Sequence, residues 1–173
     1  MGTNIAPPAA LEKHHRTTDF DCGNPVLNQW LTDYAWMNQQ AGTSKTFVLC
    51  RDDHQVIGYY SLAAGAVAPE QTGSRITRGL SRHPVPVAIL ARLAVDRRWQ
   101  GYKIGQWLLR DGLIRTVNIS GQIGIRAILV HAKDENARKF YTHHGFEASP
   151  VDPMMLMLLL KDIKKSLAHE PLV

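Results

Sequence analysis

Two glycines, Gly101 and Gly105, lie in a polar turn between an apolar, β-branched run and an apolar-periodic one. Val87 to Asp96 has the pattern of a buried strand. Ile104, Trp107, Leu108, Ile114 and Val117 fall on one face of a helix. Strand, glycine turn and helix in this order aim backbone N–H groups and a positive helix end at an anion. Glycine lets the backbone approach that anion closely. Residues 100–106 are therefore a candidate phosphate or pyrophosphate site. The same pattern also suits a plain β–turn–α unit with no ligand. No Gly-Lys-Ser/Thr triplet follows the turn, so it is not a P-loop, and the G-x-G-x-x-G spacing of dinucleotide sites is absent.

Other residue types narrow the chemistry. The chain has eight histidines without a ligand pattern of cysteines or carboxylates, so no metal site is expected. His131, His143 and His144 are candidate bases by type alone. Cys22 and Cys50 are too few for a disulfide scaffold and read as small buried side chains, which fits a reducing cytoplasm. The formal net charge is +5, which favours anionic partners such as coenzyme phosphates or nucleic acid. A mildly basic solvated surface would give the same total. The longest apolar run, Met154 to Leu160, is too short to span a bilayer. No charged-then-apolar leader marks the N-terminus. A cytoplasmic protein with no membrane partner is the expectation.

The elements that position these residues follow from local pattern. A short edge strand is expected near Ala9–Lys13. Asn24 and Pro25 are the N-cap and first residue of a helix with a Leu27, Trp30, Leu31, Tyr34 stripe. That helix continues or breaks near Tyr34 and stops at Gly42. Thr46–Cys50 and Val56–Ala64 form a hairpin around Asp52-Asp53-His54. Pro69–Pro86 is a long polar stretch, read as a substrate-side loop with a short helix at Ser74–Leu80. The central helix runs from Ile104 to Ile119. Ile125–Val130 is a buried strand. A helix capped near Asp134 ends at Gly145. Phe146–Ala148 and Met154–Leu160 are the last strands, and Lys161–Ala168 is a basic tail helix. The fold class is α/β, with a mixed sheet and helices on both faces. One domain is expected over residues 1–173, with loose ends at 1–8 and 169–173.

Gln100-Gly101-Tyr102-Lys103-Ile104-Gly105 resembles the Gln/Arg-x-x-Gly-x-Gly/Ala signature of the GNAT superfamily of N-acetyltransferases. Asn136-Ala137-Arg138-Lys139-Phe140-Tyr141-Thr142-His143-His144-Gly145-Phe146 resembles that superfamily's Asn…Phe-Tyr…Gly-Phe segment. The resemblance covers residues 9–160 and implies acetyl-coenzyme A as co-substrate. It implies that the turn, Gln100, Gly101, Tyr102, Lys103, Ile104, Gly105 and Gln106, holds the pyrophosphate. Backbone groups of Leu93, Ala94 and Val95 would pair with the pantetheine and polarise the acetyl carbonyl. Asn136 would contact the coenzyme, and Tyr141 would be the general acid for the departing thiolate. Lys103 departs from the signature, which has glycine there. A positive φ at that position would strain a lysine, whereas its ammonium would add a point charge for the phosphate.

Three stretches resemble one branch, the acetyltransferase toxins of type II toxin–antitoxin pairs: Phe20-Asp21-Cys22-Gly23-Asn24 with Trp30-Leu31, Leu90 to Asp96, and Leu108-Leu109-Arg110-Asp111-Gly112. That branch implies acetylation of the α-amino group of aminoacyl-tRNA, a block on translation, a ribbon-helix-helix antitoxin and a homodimer. Arg75, Arg78 and Arg92 are then candidate RNA contacts, together with Arg82 and the Lys161, Lys164 and Lys165 tail. Two other readings stay open. One is a GNAT enzyme acting on a protein N-terminus, a lysine or a small amine. The other is a non-catalytic module whose turn Lys103 has spoiled.

Overall fold

The computed structural model describes residues 4–169; of the expected loose ends, 1–3 and 170–173 lie outside the described residues, while Ile5 forms an antiparallel bridge with Arg51. Among the described residues seven strands are formed: β1 (Ala9–Ala10), β2 (Lys45–Cys50), β3 (Val56–Val67), β4 (Val85–Val95), β5 (Ala127–His131), β6 (Glu147–Ala148) and β7 (Met155–Leu159). They run in the order β1-β2-β3-β4-β5-β7-β6. The sheet is mixed, since β4 and β5 are parallel while β5 and β7 are antiparallel. The helices are α1 (Pro25–Gln29), α2 (Ala35–Gln40), α3 (Ser74–Thr77), α4 (Ile104–Ile119), α5 (Glu135–His143) and α6 (Leu160–His169). The chain divides into two compact units, Met1–Ala63 with Ala91–Gly112, and Ala64–Leu90 with Leu113–Val173.

In the first unit, β2 and β3 form the expected hairpin, with Phe47 opposite Tyr60 and Val48 opposite Tyr59. Cross-strand aromatic pairs of this kind stabilise a hairpin, and the Phe47 and Tyr60 rings stack with centroids 5.2 Å apart. Thr46 and Ser61 share a buried hydroxyl–hydroxyl hydrogen bond of 2.8 Å, which satisfies both polar groups. Asn24 caps α1, its Oδ1 accepting from the N–H groups of Val26 and Leu27 at 3.0 and 3.4 Å. The expected break near Tyr34 is a π-helical turn at Trp30–Tyr34 that joins α1 to α2. Trp30, Leu31, Ala35, Phe20 and Tyr59 meet in the core of this unit, beside Cys22 and Cys50, both free. Burial, and then the Asp53 charge, push the Cys50 thiol up to about 12, so it stays an inert neutral packing group.

Gly58 on β3 sets how closely the start of α4 approaches. A Cβ there would lie 2.9 Å from Leu108 Cδ1 and 3.2 Å from Ile104 Cγ2. The missing side chain seats Ile104 and Leu108 against the sheet, both buried. The helix start, and with it the glycine turn, is thereby anchored from behind.

In the second unit, β4 pairs with β5 from Val87–Ala127 to Leu90–Val130. Strand β4 then runs on through Ala91 to Val95. Val85, Val87, Ala127, Leu129, Met155 and Met157 pack together here. The 69–86 stretch is more ordered than its polar composition implies. It holds a 3-10 turn at Pro69–Gln71 and α3, and Arg126 fastens it, donating from Nε to Ile76 O at 2.9 Å and from Nη2 to Arg78 O at 3.3 Å. Among the described residues no helix is long and apolar enough to cross a membrane.

Candidate active site

The turn before α4 has the backbone of an anion cradle. Gly101 has φ +89° and Lys103 has φ +62°, both left-handed. Left-handed residues within a turn draw successive N–H groups into a concavity that suits an anion. The first hydrogen bond of α4 runs from Trp107 N–H to Lys103 O at 3.1 Å. The N–H groups of Ile104, Gly105 and Gln106 precede it, so the helix itself gives them no acceptor. Position 103, where the signature has glycine, does require a positive φ, and lysine adopts it at a cost of about 1–2 kcal/mol. The strain accompanies the fold without spoiling it. These features fit the diphosphate of a coenzyme.

Gln100 acts on the backbone. Its Nε2 donates to Val95 O at 2.9 Å and to Cys22 O at 3.2 Å. This ties the start of the turn to the end of β4. Leu93 and Val95 are half-buried and Ala94 is buried, on the part of β4 past its ladder with β5. Tyr102 is 70 % exposed, its ring tilted against Trp99 at 6.0 Å.

A site-shaping residue that local sequence reading missed is Asp96, which is 1 % exposed. Its carboxylate accepts from Asp21 N–H at 3.1 Å, Arg98 N–H at 2.9 Å and Arg98 Nε at 3.0 Å. Burial pushes its pKa up, and the hydrogen bonds from Arg98 and Asp21 outweigh that and hold it below the usual carboxylate range. The signal was an acid closing an apolar strand directly before two arginines. Its partner Asp21 is remote in sequence.

Tyr141 and Asn136 share α5 in the second unit. Asp134 Oδ1 caps this helix, accepting from Ala137 N–H at 2.8 Å, and Gly145 follows its end with φ +93°. Tyr141 is 6 % exposed, edge-on to Phe140 and Phe146 at 5.2 and 5.4 Å. Burial pushes its phenol above the ordinary value of 10, so it stays protonated at neutral pH and able to donate a proton. Asn136 is exposed near the start of the helix. His144 packs on Phe140 at 4.8 Å, and burial, then His143, lower its pKa. His131 and His143 are exposed. Among the described residues no group of three or more His, Cys, Asp or Glu is placed to hold a metal ion.

The three arginines expected at RNA have different surroundings. Arg75 forms a bidentate pair with Asp162 at 2.8 and 2.9 Å. Arg92 is half-buried over the Trp30 ring. Arg78 is exposed.

A family model described as an acetyltransferase (GNAT) domain matches residues 43–148, a span that holds the turn, β4 and α5. The chain belongs to the GNAT acetyltransferase family. Over 162 residues it is 46% identical to the tRNA-acetylating toxin of Mycobacterium tuberculosis (strain ATCC 25618 / H37Rv), covering 94% of this chain and 96% of that one. AtaT complexed with acetyl-methionyl-tRNAfMet has the same fold, with a TM-score of 0.87 and 25% identity over 95% of this chain and 99% of that one. AtaTR bound with AcCoA gives a TM-score of 0.79 and 26% identity over 94% and 98%. This GNAT chain is thus an acetyltransferase in fold and family, along nearly its whole length.

Proposed function

We propose that this acetyltransferase transfers the acetyl group of acetyl-coenzyme A to the α-amino group of aminoacyl-tRNA, and so blocks translation. The observation that carries this reading is the 46% identity to a tRNA-acetylating toxin across nearly all of both chains. The left-handed pair Gly101 and Lys103 supports it from the geometry. On this reading a cognate ribbon-helix-helix antitoxin neutralises the protein, which acts in the cytoplasm as a homodimer, and residues 1–173 serve as one functional domain.

The coenzyme supplies an acetyl thioester. The N–H groups of residues 101–106 bind its diphosphate, with Lys103 adding a positive charge and Asn136 a polar contact. Backbone N–H groups of the Leu93–Val95 stretch hold the acyl end and polarise its carbonyl. The α-amino nitrogen bonds to the carbonyl carbon, the carbon–sulfur bond breaks, and Tyr141 gives its phenolic proton to the sulfur. The amine sheds its proton to solvent, and the phenol is reprotonated from solvent. An α-amino ester has a lowered pKa, so no dedicated base is needed. Arg78 is the foremost RNA phosphate contact, because Arg75 and Arg92 hold other groups.

The test uses charged tRNA and labelled acetyl-coenzyme A, followed by digestion of the RNA. Labelled acetyl-aminoacyl-adenosine is the expected product. Label on a free amine or a peptide, with none on the aminoacyl-adenosine, removes the tRNA reading.

A further inference from the structure

Residues 101–103 of the turn are exposed and include the left-handed Lys103, so the turn depends on what holds the residues on either side of it. The segment around Asp21, remote in sequence, meets its approach at several points. Asp21 N–H donates to Asp96 Oδ2, and Asp21 O accepts from Arg97 N–H at 2.8 Å. The Asp21 carboxylate also pairs with Arg97 Nη2 at 2.9 Å. Cys22 O accepts from Gln100 Nε2, the residue directly before the turn. Gly23 has φ +88°, and a Cβ there would lie 3.2 Å from Arg97 Cδ.

That segment is fastened in turn by one side chain of α1. Asn28 Oδ1 accepts from Cys22 N–H at 2.8 Å, and Asn28 Nδ2 donates to Asp21 Oδ1 at 3.0 Å. Gly23 N–H donates to that same carboxylate oxygen at 2.9 Å. Asn28 therefore uses both ends of its amide to fix the two residues that grip Asp96, Arg97 and Gln100. An amide is suited to this, because one side accepts and the other donates. Alanine could do neither, and aspartate would set a second carboxylate against Asp21.

We propose that Asn28 and Gly23 are positioning residues for acetyl-coenzyme A: they set the Asp21–Cys22 segment that holds the 96–100 approach in the shape the diphosphate needs. The proposal rests on reading residues 100–106 as the diphosphate site. It gives the Phe20-Asp21-Cys22-Gly23-Asn24 stretch a role in coenzyme affinity beyond starting a helix. The physical basis is preorganisation. A turn already held in its binding conformation spends no binding energy on ordering.

Calorimetry with acetyl-coenzyme A on the full chain tests it, alongside thermal melting and steady-state kinetics with charged tRNA. Asn28→Ala is expected to weaken coenzyme binding by about tenfold, the equivalent of one or two lost hydrogen bonds. The KM for acetyl-coenzyme A should rise with it. The kcat at saturating coenzyme and the KM for charged tRNA should stay within about twofold, a split that simple loss of folded protein does not produce. Gly23→Ala, which must shift Arg97 or leave its left-handed backbone, should act in the same direction and serves if Asn28→Ala does not fold. Asp96→Asn should lie between wild type and Asp96→Ala in coenzyme affinity, since the amide keeps one acceptor. Variants that melt earlier yet bind coenzyme as wild type does overturn the proposal, as does an equal rise in both KM values. A wild-type protein that binds no coenzyme would instead remove the reading of the turn itself.

Discussion

The guanidinium carbon of Arg92 lies 4.1 Å from the centre of the Trp30 ring. Trp30 in turn stacks nearly parallel to Tyr59, with centroids 6.0 Å apart and planes 11° from each other. Arg92 therefore covers an aromatic stack in the core of the first unit. Burial lowers its pKa, yet an arginine stays charged at any working pH. A cation over a tryptophan face contributes about 0.5–2 kcal/mol. Arg92→Ala should lower the melting temperature and leave the KM for charged tRNA unchanged. Arg92→Lys should recover only part of the stability, because an ammonium lacks the flat face that stacks. An Arg92→Ala protein that melts normally but binds charged tRNA severalfold more weakly would return this residue to the RNA surface.

Tyr141→Phe keeps the ring among Phe140 and Phe146 and removes only the hydroxyl. Turnover should fall by about 10²- to 10⁴-fold, the usual contribution of a positioned acid. Coenzyme affinity should be nearly that of wild type. The sign of the pKa shift adds a second check. Burial raises the phenol's pKa above 10, so the protonated, donating form persists well into alkaline solution. Turnover should show no loss between pH 7.5 and about 9.5 that Tyr141→Phe abolishes. A Phe variant with normal turnover would take the tyrosine out of the reaction.

Lys103 combines a strained backbone with a useful charge, and two substitutions separate them. Lys103→Gly relieves the strain and removes the ammonium. Lys103→Ala removes the ammonium and keeps the strain. The glycine variant should be more stable than the alanine variant by about 1 kcal/mol, read from chemical denaturation. Both should lose the same increment of coenzyme affinity, and both should show a weaker salt dependence of binding than wild type. Equal stabilities would mean that the left-handed backbone at this position carries no cost.

What could be read from the sequence was what neighbours along the chain decide. Asn24 and Pro25 announce α1, Asp134 and Gly145 bracket α5, and Ile104 to Ile119 carries its own helical period; each needs only a few adjacent residues to be recognised. The turn at 100–106 was legible for the same reason, and the signature mismatch at Lys103 posed the question that its φ of +62° answers. The illegible part is long-range pairing. Nothing near Arg75 points to Asp162, nothing near Arg92 to Trp30, and nothing near Arg126 to Ile76 O. A surface arginine and one bound inside the fold look alike until the backbone has closed, so local pattern does not separate an RNA contact from a structural arginine. Asp96 was hidden likewise, because the N–H of Asp21 reaches it only through the fold.

Asp96 also makes stability depend on acid. Its folded pKa lies below the unfolded value of about 3.9, because the bonds from Arg98 and Asp21 N–H exceed the cost of burial. A carboxylate with a depressed folded pKa contributes stability that is full above the unfolded pKa and is lost as pH falls through the folded one. Asp96→Asn removes the titration while keeping the shape. The variant should be less stable than wild type at pH 7, and the difference should shrink steadily between about pH 5 and pH 3 as wild type takes up its proton. Asp21, Asp53 and Asp162 also have lowered pKa values, so the variant should still unfold in acid, only with a shallower slope. Denaturant melts of both proteins across that range measure the gap. A gap that stays constant with pH would show that the Asp96 charge does not support the fold, and that its contribution is the second acceptor oxygen, which the amide lacks.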